Sequence, residues 1–584
     1  MGTSRLKNGI TFLKNLWRLG SPYFLSSKER WRARLLLAAV FGLALVHVLM
    51  LVQFNNWYQE FYSVLQNKDL PAFLPLSARF LGLAAIYILA AIQRGYWQQM
   101  LHMRWRVWLT EQYVGAWLAH KSHYRLQIEG LPTDNPDQRI AEDLDGFSRG
   151  ALSLTLGIFQ SVITLVSFVV ILWNISPTLT LPLGDEGLAI EHYMVWVALG
   201  YAIIGSVFVH YVGRRLISLH FMQQKLEADF RFNLVRVREN AESIALYGGE
   251  GSESPRLGGL VERIRGNWWS IMAYTRRLAF FQTGFTQLEL VFGIFAAAPS
   301  YFAGQITQGT LIQIGDAFTR VEGALAWFVS SYGTITAWKA TVDRLLSFEA
   351  ALATLAAEDE QPAGVIVVRD GYTDLRADHL TLTVPGGRTI LADLVFEIKP
   401  GDRVLITGPT GIGKSTLFRA LAGIWSFGEG KIQMPSNART LFLPQKPYMP
   451  ISTLRAALTY PDPEGALPDA ALREALRAVG LELFIDCLDD DQYWGMQMSI
   501  GEQQRLAAAR AILQQPDWLF LDEATSALDD EGEKQVYDAL IERLPRAAIV
   551  SIAHRPSLAA YHERTLALAE FRPASESDQQ PAMA

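Results

Sequence analysis

The stretch TGPTGIGKSTLFRALAG, residues 407–423, decides how the C-terminal third of the chain is read. It follows a short apolar run, 403–406, and places Gly408, Gly413, Lys414 and Ser415 in the pattern G-x-x-x-x-G-K-[ST]. Backbone N–H groups must wrap a phosphate at the N-terminus of a helix, where the dipole favours anions, and glycines permit that approach. Pro409, Thr410, Gly411 and Ile412 complete the loop, and Thr416 continues into the helix. Lys414 is placed to reach the β- and γ-phosphates and the Ser415 hydroxyl to ligate Mg2+. The pattern implies a nucleotide site.

Downstream, WLFLDE (518–523) reads as a buried strand ending in two carboxylates. Asp522 is expected in the Mg2+ shell, and Glu523 is expected to polarise the attacking water. Between the loop and this strand lies MSIGEQQRLAAARAIL (498–513), which resembles the signature of the ATP-binding cassette (ABC) family. Ser499, Gly501 and Glu502 match; Met498 stands for the usual Leu and Ile500 for the first Gly. The remaining family elements follow in order: Gln445 in LPQKPYMP, the 526–529 turn ending in Asp529, and His554 in SIAHRP. The resemblance implies ATP as the nucleotide. It also implies Gln445 as a lid glutamine sharing the Mg2+ shell, and His554 as the switch histidine at the γ-phosphate. Many cassettes stack an aromatic on adenine before the phosphate loop; here that slot falls on Val384.

Composition bounds the rest. The chain has 584 residues, 50% of them hydrophobic, and a formal charge of −6; mean hydropathy is +0.13, high for a purely soluble protein. The single cysteine, Cys487, excludes an intramolecular disulfide, and the mild acidity gives no reason to expect nucleic acid. No cleavable leader is read at the N-terminus. Apolar runs at about 35–53, 76–93, 151–173, 193–212, 283–303 and 310–333 predict six membrane helices. Residues 1–34 hold eight Lys or Arg and 94–150 hold seven, whereas 174–192 and 304–309 hold none. Both termini are therefore expected in the cytoplasm. The expected domains are a membrane domain, 1–346, a linker, 347–362, a nucleotide-binding domain, 363–570, and a disordered tail, 571–584.

The membrane half narrows the resemblance. NPDQRIAED (135–143), 227–250, NNWYQEFYSVLQNKD (55–69) and FTRVEGALAWF (318–328) resemble the peroxisomal fatty-acyl (subfamily D) transporters and the bacterial BacA/SbmA-like permeases. This resemblance implies the exporter-type fold, an α-helical membrane domain with six spans followed by an α/β P-loop ATPase. It implies a homodimer of half-transporters in the lipid bilayer of a bacterial inner membrane. It also implies coupling helices at 135–147 and 243–252 that dock on the cassettes. Relatives point to import of a small-molecule or peptide cargo: a peptide, a cobalamin-like molecule or a fatty acyl compound. A lipid flippase or exporter, and an ATP-gated channel or sensor, stand as alternatives. Candidate cargo contacts are Asp316 and Arg320, one turn apart, with Gln313 and Gly323 beside them. Glu322 is expected to point elsewhere, and Glu60 to be a solvated surface residue.

Overall fold

The apolar runs are helical, the sixth breaking at Ser331 between Gln308–Ser330 and Tyr332–Glu360, because a chain without water around it must satisfy its backbone internally. A computed structural model of the chain describes residues 2–130, 135–181, 188–360, 364–553 and 555–573. Among these, four helices are long and apolar enough to cross a membrane: Arg30–Asn67, Leu70–Ile128, Pro136–Ile175 and Glu250–Phe302. The other two expected spans fall short of that composition for physical reasons. Tyr193–Val209 is a shorter apolar stretch at the head of the helix Tyr193–Glu239, and Gln308–Ser330 carries Asp316, Arg320 and Glu322.

The chain divides into two compact units. One is Met1–Gly115 with Thr133–Glu349, and the other is Ala116–Pro132 with Ala350–Ala584. Within the first, Gln308–Ser330 packs against the helices Arg30–Asn67, Leu144–Ile175, Tyr193–Glu239 and Glu250–Phe302. Its buried Ile314, Phe318 and Val321 share a core with Phe168, Leu172 and Met194. Stretch 347–360, expected as a linker, continues the helix Tyr332–Glu360. Of the expected tail, 574–584 lies outside the described residues.

The second unit holds two sheets. Strands Arg564–Ala567, Arg403–Thr407, Ala548–Ile552, Trp518–Asp522 and Thr440–Leu443 lie side by side in that order, all parallel. Their central members are nearly continuous apolar runs, as both faces are covered. A four-stranded, mostly antiparallel sheet is built from Val365–Arg369, Gly428–Met434, Leu375–Thr383 and Thr389–Ile398. A helical layer containing Leu454, Leu472, Leu476 and Leu506 packs over the other side of the parallel sheet.

The polar stretch 135–147 turns as expected: Asn135 is left-handed (φ 51°) and Pro136 opens the helix. Asp137 and Glu142 are exposed, but Arg139 and Asp143 are buried. Arg139 donates to Asp143 at 2.6 Å, and Asp143 also accepts two bonds from Arg344, at 2.9 and 2.5 Å. Burial alone would raise the Asp143 carboxyl, but the two guanidinium groups outweigh it and hold it below the ordinary carboxylate range. Arg139 thus belongs to a buried ion pair of its own unit.

Asp143→Asn should destabilise this unit by on the order of 3 kcal/mol, because it leaves the buried Arg139 guanidinium without its carboxylate. The depressed Asp143 stabilises the fold above the unfolded carboxylate value, about 3.9. That contribution is lost as pH falls through the lower folded value. The thermal inactivation midpoint of the detergent-solubilised protein should drop by several degrees at neutral pH. The gap between variant and wild type should close on acidification; an unchanged midpoint counts against the triad.

Candidate functional site: the nucleotide site and the membrane cavity

The phosphate loop leaves the carboxyl end of strand Arg403–Thr407 and enters the helix Lys414–Leu421. Gly411 and Gly413 have φ of 83° and 106°, conformations that side chains disfavour. A Cβ on Gly413 would also lie 3.2 Å from Ile390. Lys414 bends back over the loop and its Nζ donates to the Gly408 carbonyl at 2.8 Å. Burial lowers its pKa, against the pull of Glu523 and Asp522. Pro409, Thr410 and Gly411 form the turn, Ile412 is buried beneath it, and Thr416 lies in the helix one residue beyond Ser415.

Asp522 ends its strand facing the loop, and its Oδ1 accepts the Ser415 hydroxyl at 3.0 Å. Burial raises the Asp522 pKa; the Ser415 bond opposes this and the neighbouring Glu523 adds to it. The two oxygens fit Mg2+, which takes one or two protein oxygens and completes its shell with water and phosphate. Among the described residues, no group of three or more His, Cys, Asp or Glu could hold a metal by itself.

Glu523 takes a left-handed backbone (φ 49°), held by its N–H to the Ile552 carbonyl at 3.0 Å. Its Oε2 accepts from the Gln445 amide at 3.1 Å. Gln504, buried in the helix Ile500–Gln514, donates to the Gln445 carbonyl at 2.9 Å and accepts from the Ala527 N–H at 3.0 Å. It ties the lid segment, the glutamate and the turn before Asp529 together. No motif marked Gln504; only its burial on the inner face of the signature helix reveals it. His554 lies outside the described residues.

The signature forms a capping box. Ser499 N and Oγ both donate to the Glu502 carboxylate at 2.8 Å, and Glu502 N returns a bond to Ser499 Oγ. Met498 is buried, filling the place of the usual Leu, and the Ile500 side chain is 56% exposed, so this departure leaves the core undisturbed. A Cβ on Gly501 would press on the Ala527 carbonyl at 3.2 Å. Ser499, Gly501, Glu502 and Asp529 line one cleft of ≈ 440 Å3, and Asp529 caps the following helix through Gly532 N.

A second residue outside any motif is Lys121. Its Nζ donates to the carbonyl of Ala422, at the C-terminal end of the phosphate-loop helix, at 2.7 Å. The adjoining helix Ser122–Ile128 places Arg125 on the Leu355 carbonyl and Ile128 against the core beneath the loop. The segment that packs within the nucleotide-binding unit is thus Ala116–Pro132, upstream of the 135–147 stretch expected to dock.

The membrane residues divide. Asp316 accepts from the buried Asn55 amide at 2.8 Å, and Gln313 donates to Asn56 at 3.2 Å; both lock helices together. Arg320 stays within 3.4 Å of Asp316, yet with Gly323 it lines a cavity of ≈ 560 Å3. Glu322 lines the same cavity, contrary to the expectation that it points elsewhere. Glu60 forms an exposed pair with Arg79 at 2.7 Å.

With this geometry in hand, the comparisons are specific. Residues 21–302 match the family model described as ABC transporter transmembrane region 2, and residues 391–526 match the one described as ABC transporter. The chain is 34% identical to ABC transporter D family member 2, chloroplastic, of Arabidopsis thaliana, over 97% of this chain and 87% of that protein. It is 32% identical to the inner membrane ABC transporter ATP-binding protein YddA of Escherichia coli, over 92% and 94%. It is 26% identical to the human lysosomal cobalamin transporter ABCD4, over 90% of each. The fold matches that of a bacterial Atm1-family ABC exporter solved with ATP bound, with a TM-score of 0.72 at 21% identity, over 93% of this chain and 94% of that one. A helical membrane region in the exporter-type fold and an ATP-binding domain thus share one polypeptide, and the chain belongs to the ABC transporters, homologous to subfamily D members and to bacterial relatives such as YddA.

Proposed function

We propose that the protein is an ATP-driven half-transporter that works as a homodimer in a bacterial inner membrane, with six crossings and both termini cytoplasmic. It imports a hydrophilic or amphipathic cargo: a peptide, a cobalamin-like molecule or a fatty acyl compound. The observation that carries this reading is the joining of the hydrolytic groups to a membrane-derived segment. Gln445 and Gln504 position Glu523, while Lys121 holds the far end of the helix whose near end faces the phosphates.

In this reading Glu523 orients the water, Lys414 and the loop N–H groups hold the phosphates, and His554 contacts the γ-phosphate. Mg2+, held by Ser415, Asp522 and Gln445, neutralises phosphate charge when bound. Ser499, Gly501, Glu502 and Asp529 close over the partner subunit's nucleotide, as a single cassette per chain requires two copies. Support for the dimer comes from the expected coupling stretch 243–252, where Leu246 and Tyr247 are 80% and 89% exposed. Exposed apolar residues of this size suit a partner's surface. Inner-membrane placement follows the name of YddA, and the corrinoid option follows that of ABCD4. Uptake into sealed vesicles, with a panel of peptides, corrinoids and acyl-CoAs, tests the reading; no ATP-dependent accumulation of any of them would defeat it.

Glu523→Gln should lower ATP turnover by about 100-fold or more while nucleotide binding persists, since only the water-orienting carboxylate is removed. Lys414→Ala should instead weaken nucleotide binding itself. Turnover within a few-fold of wild type in Glu523→Gln would take that residue out of the role.

Lys121→Ala removes a cation from a helix C-terminus, a loss of about 0.3–1 kcal/mol that the domain should survive. Basal ATPase should persist while cargo stimulation and vesicle uptake fall. Retention of both at wild-type levels would show that this contact transmits nothing.

With Val384 in place of an aromatic, base stacking worth about 1–3 kcal/mol in other sites is missing. GTP should therefore support turnover within about 100-fold of ATP. A larger discrimination would mean that another group reads the base.

A further inference from the structure

The ≈ 560 Å3 cavity of the membrane unit is lined from five helices, and its charges are unbalanced in a way the transport cycle leaves unused. Glu289, 8% exposed, and Glu322 both line it. Two bare carboxylates facing one buried space repel in this low-dielectric setting unless a cation joins them. Arg320 faces the same space but is paired with Asp316, which also accepts from Asn55. Arg94 is likewise engaged, donating to the lining Gln160 at 2.7 Å.

A separate feature points into the same space. His47, 8% exposed, lines the cavity with its Nδ1 lacking a partner, its ring 4.5 Å from that of Tyr87. Buried polar atoms are almost always satisfied, so this one marks a place for a ligand group. The lining also carries apolar and aromatic groups. Trp327 lies directly on Gly157, where a Cβ would come within 2.4 Å of the indole, and Leu51 and Tyr87 border the cavity beside His47.

We propose that this cavity binds an amphipathic primary amine, whose ammonium group sits between Glu289 and Glu322. The apolar body lies against Trp327 and Tyr87, where an aromatic face also favours the cation, and a hydroxyl reaches His47 Nδ1. This assignment deepens the transport reading by naming a cargo class, and rests on it for every step after binding.

The test uses the full-length protein in lipid nanodiscs, titrated with tyramine and with tyrosol, its neutral isostere. Binding is followed by tryptophan fluorescence, with the Trp327→Phe trace subtracted. Tyramine should bind at least about tenfold more tightly than tyrosol, the scale of one charge-assisted contact. In Glu289→Gln and in Glu322→Gln the ratio should fall below about threefold, with MgATP binding confirming an intact cassette. A smaller preference in wild type, or a preference surviving in either glutamine variant, overturns the site. If the preference is absent while vesicles accumulate another cargo on ATP, this inference alone falls. If it is present and no cargo accumulates, the transport reading falls instead.

Discussion

The hydrogen bond between Ser415 and Asp522 is the constraint around which the nucleotide-binding unit is organised. Asp522 ends its strand, while Ser415 lies in the helix that follows Arg403–Thr407, and these two strands are not neighbours, since Ala548–Ile552 lies between them. Parallel strands bring their carboxyl ends to one edge, and a crevice forms where the connections diverge. The loop glycines, the Lys414 bond to Gly408 and the Gln445–Glu523 contact all sit at that edge. Burial there raises Asp522 and lowers Lys414, so each charged form is held against a desolvation penalty. Cationic and anionic ligand groups would relieve both.

Two groups extend this edge outward. Gln504 satisfies backbone atoms from two segments at once, so a shift of the turn before Asp529 is felt at Gln445. Lys121 does the same at the opposite end of the phosphate-loop helix, whose carbonyl dipole favours a cation. A rigid helix held at both ends transmits displacement along its axis with little loss. In the membrane unit, by contrast, polar groups are used to lock helices: Asn55 with Asp316, and Arg139 with Asp143 and Arg344. The cavity acids Glu289 and Glu322 instead face one open space.

Much of this was legible in the amino-acid order. Motifs that bind phosphate must be continuous, because backbone N–H groups and one lysine act within a single loop; hence Gly408 to Ser415 could be assigned by inspection. The strand ending in Asp522 and Glu523 and the capping box at Ser499 are equally local, and the apolar runs marked the membrane helices by length. Tertiary structure alone decided the pairings made at long range. The pairing of Arg139 with Asp143, the turning of Glu322 into the cavity, and the packing of 116–132 with the phosphate-loop helix all depend on helix rotation and register. Those depend on side-chain packing between segments 300 or more residues apart, such as Lys121 and Ala422, 301 residues apart. A periodicity fixes which residues share a face, but only the packed neighbour determines what that face meets.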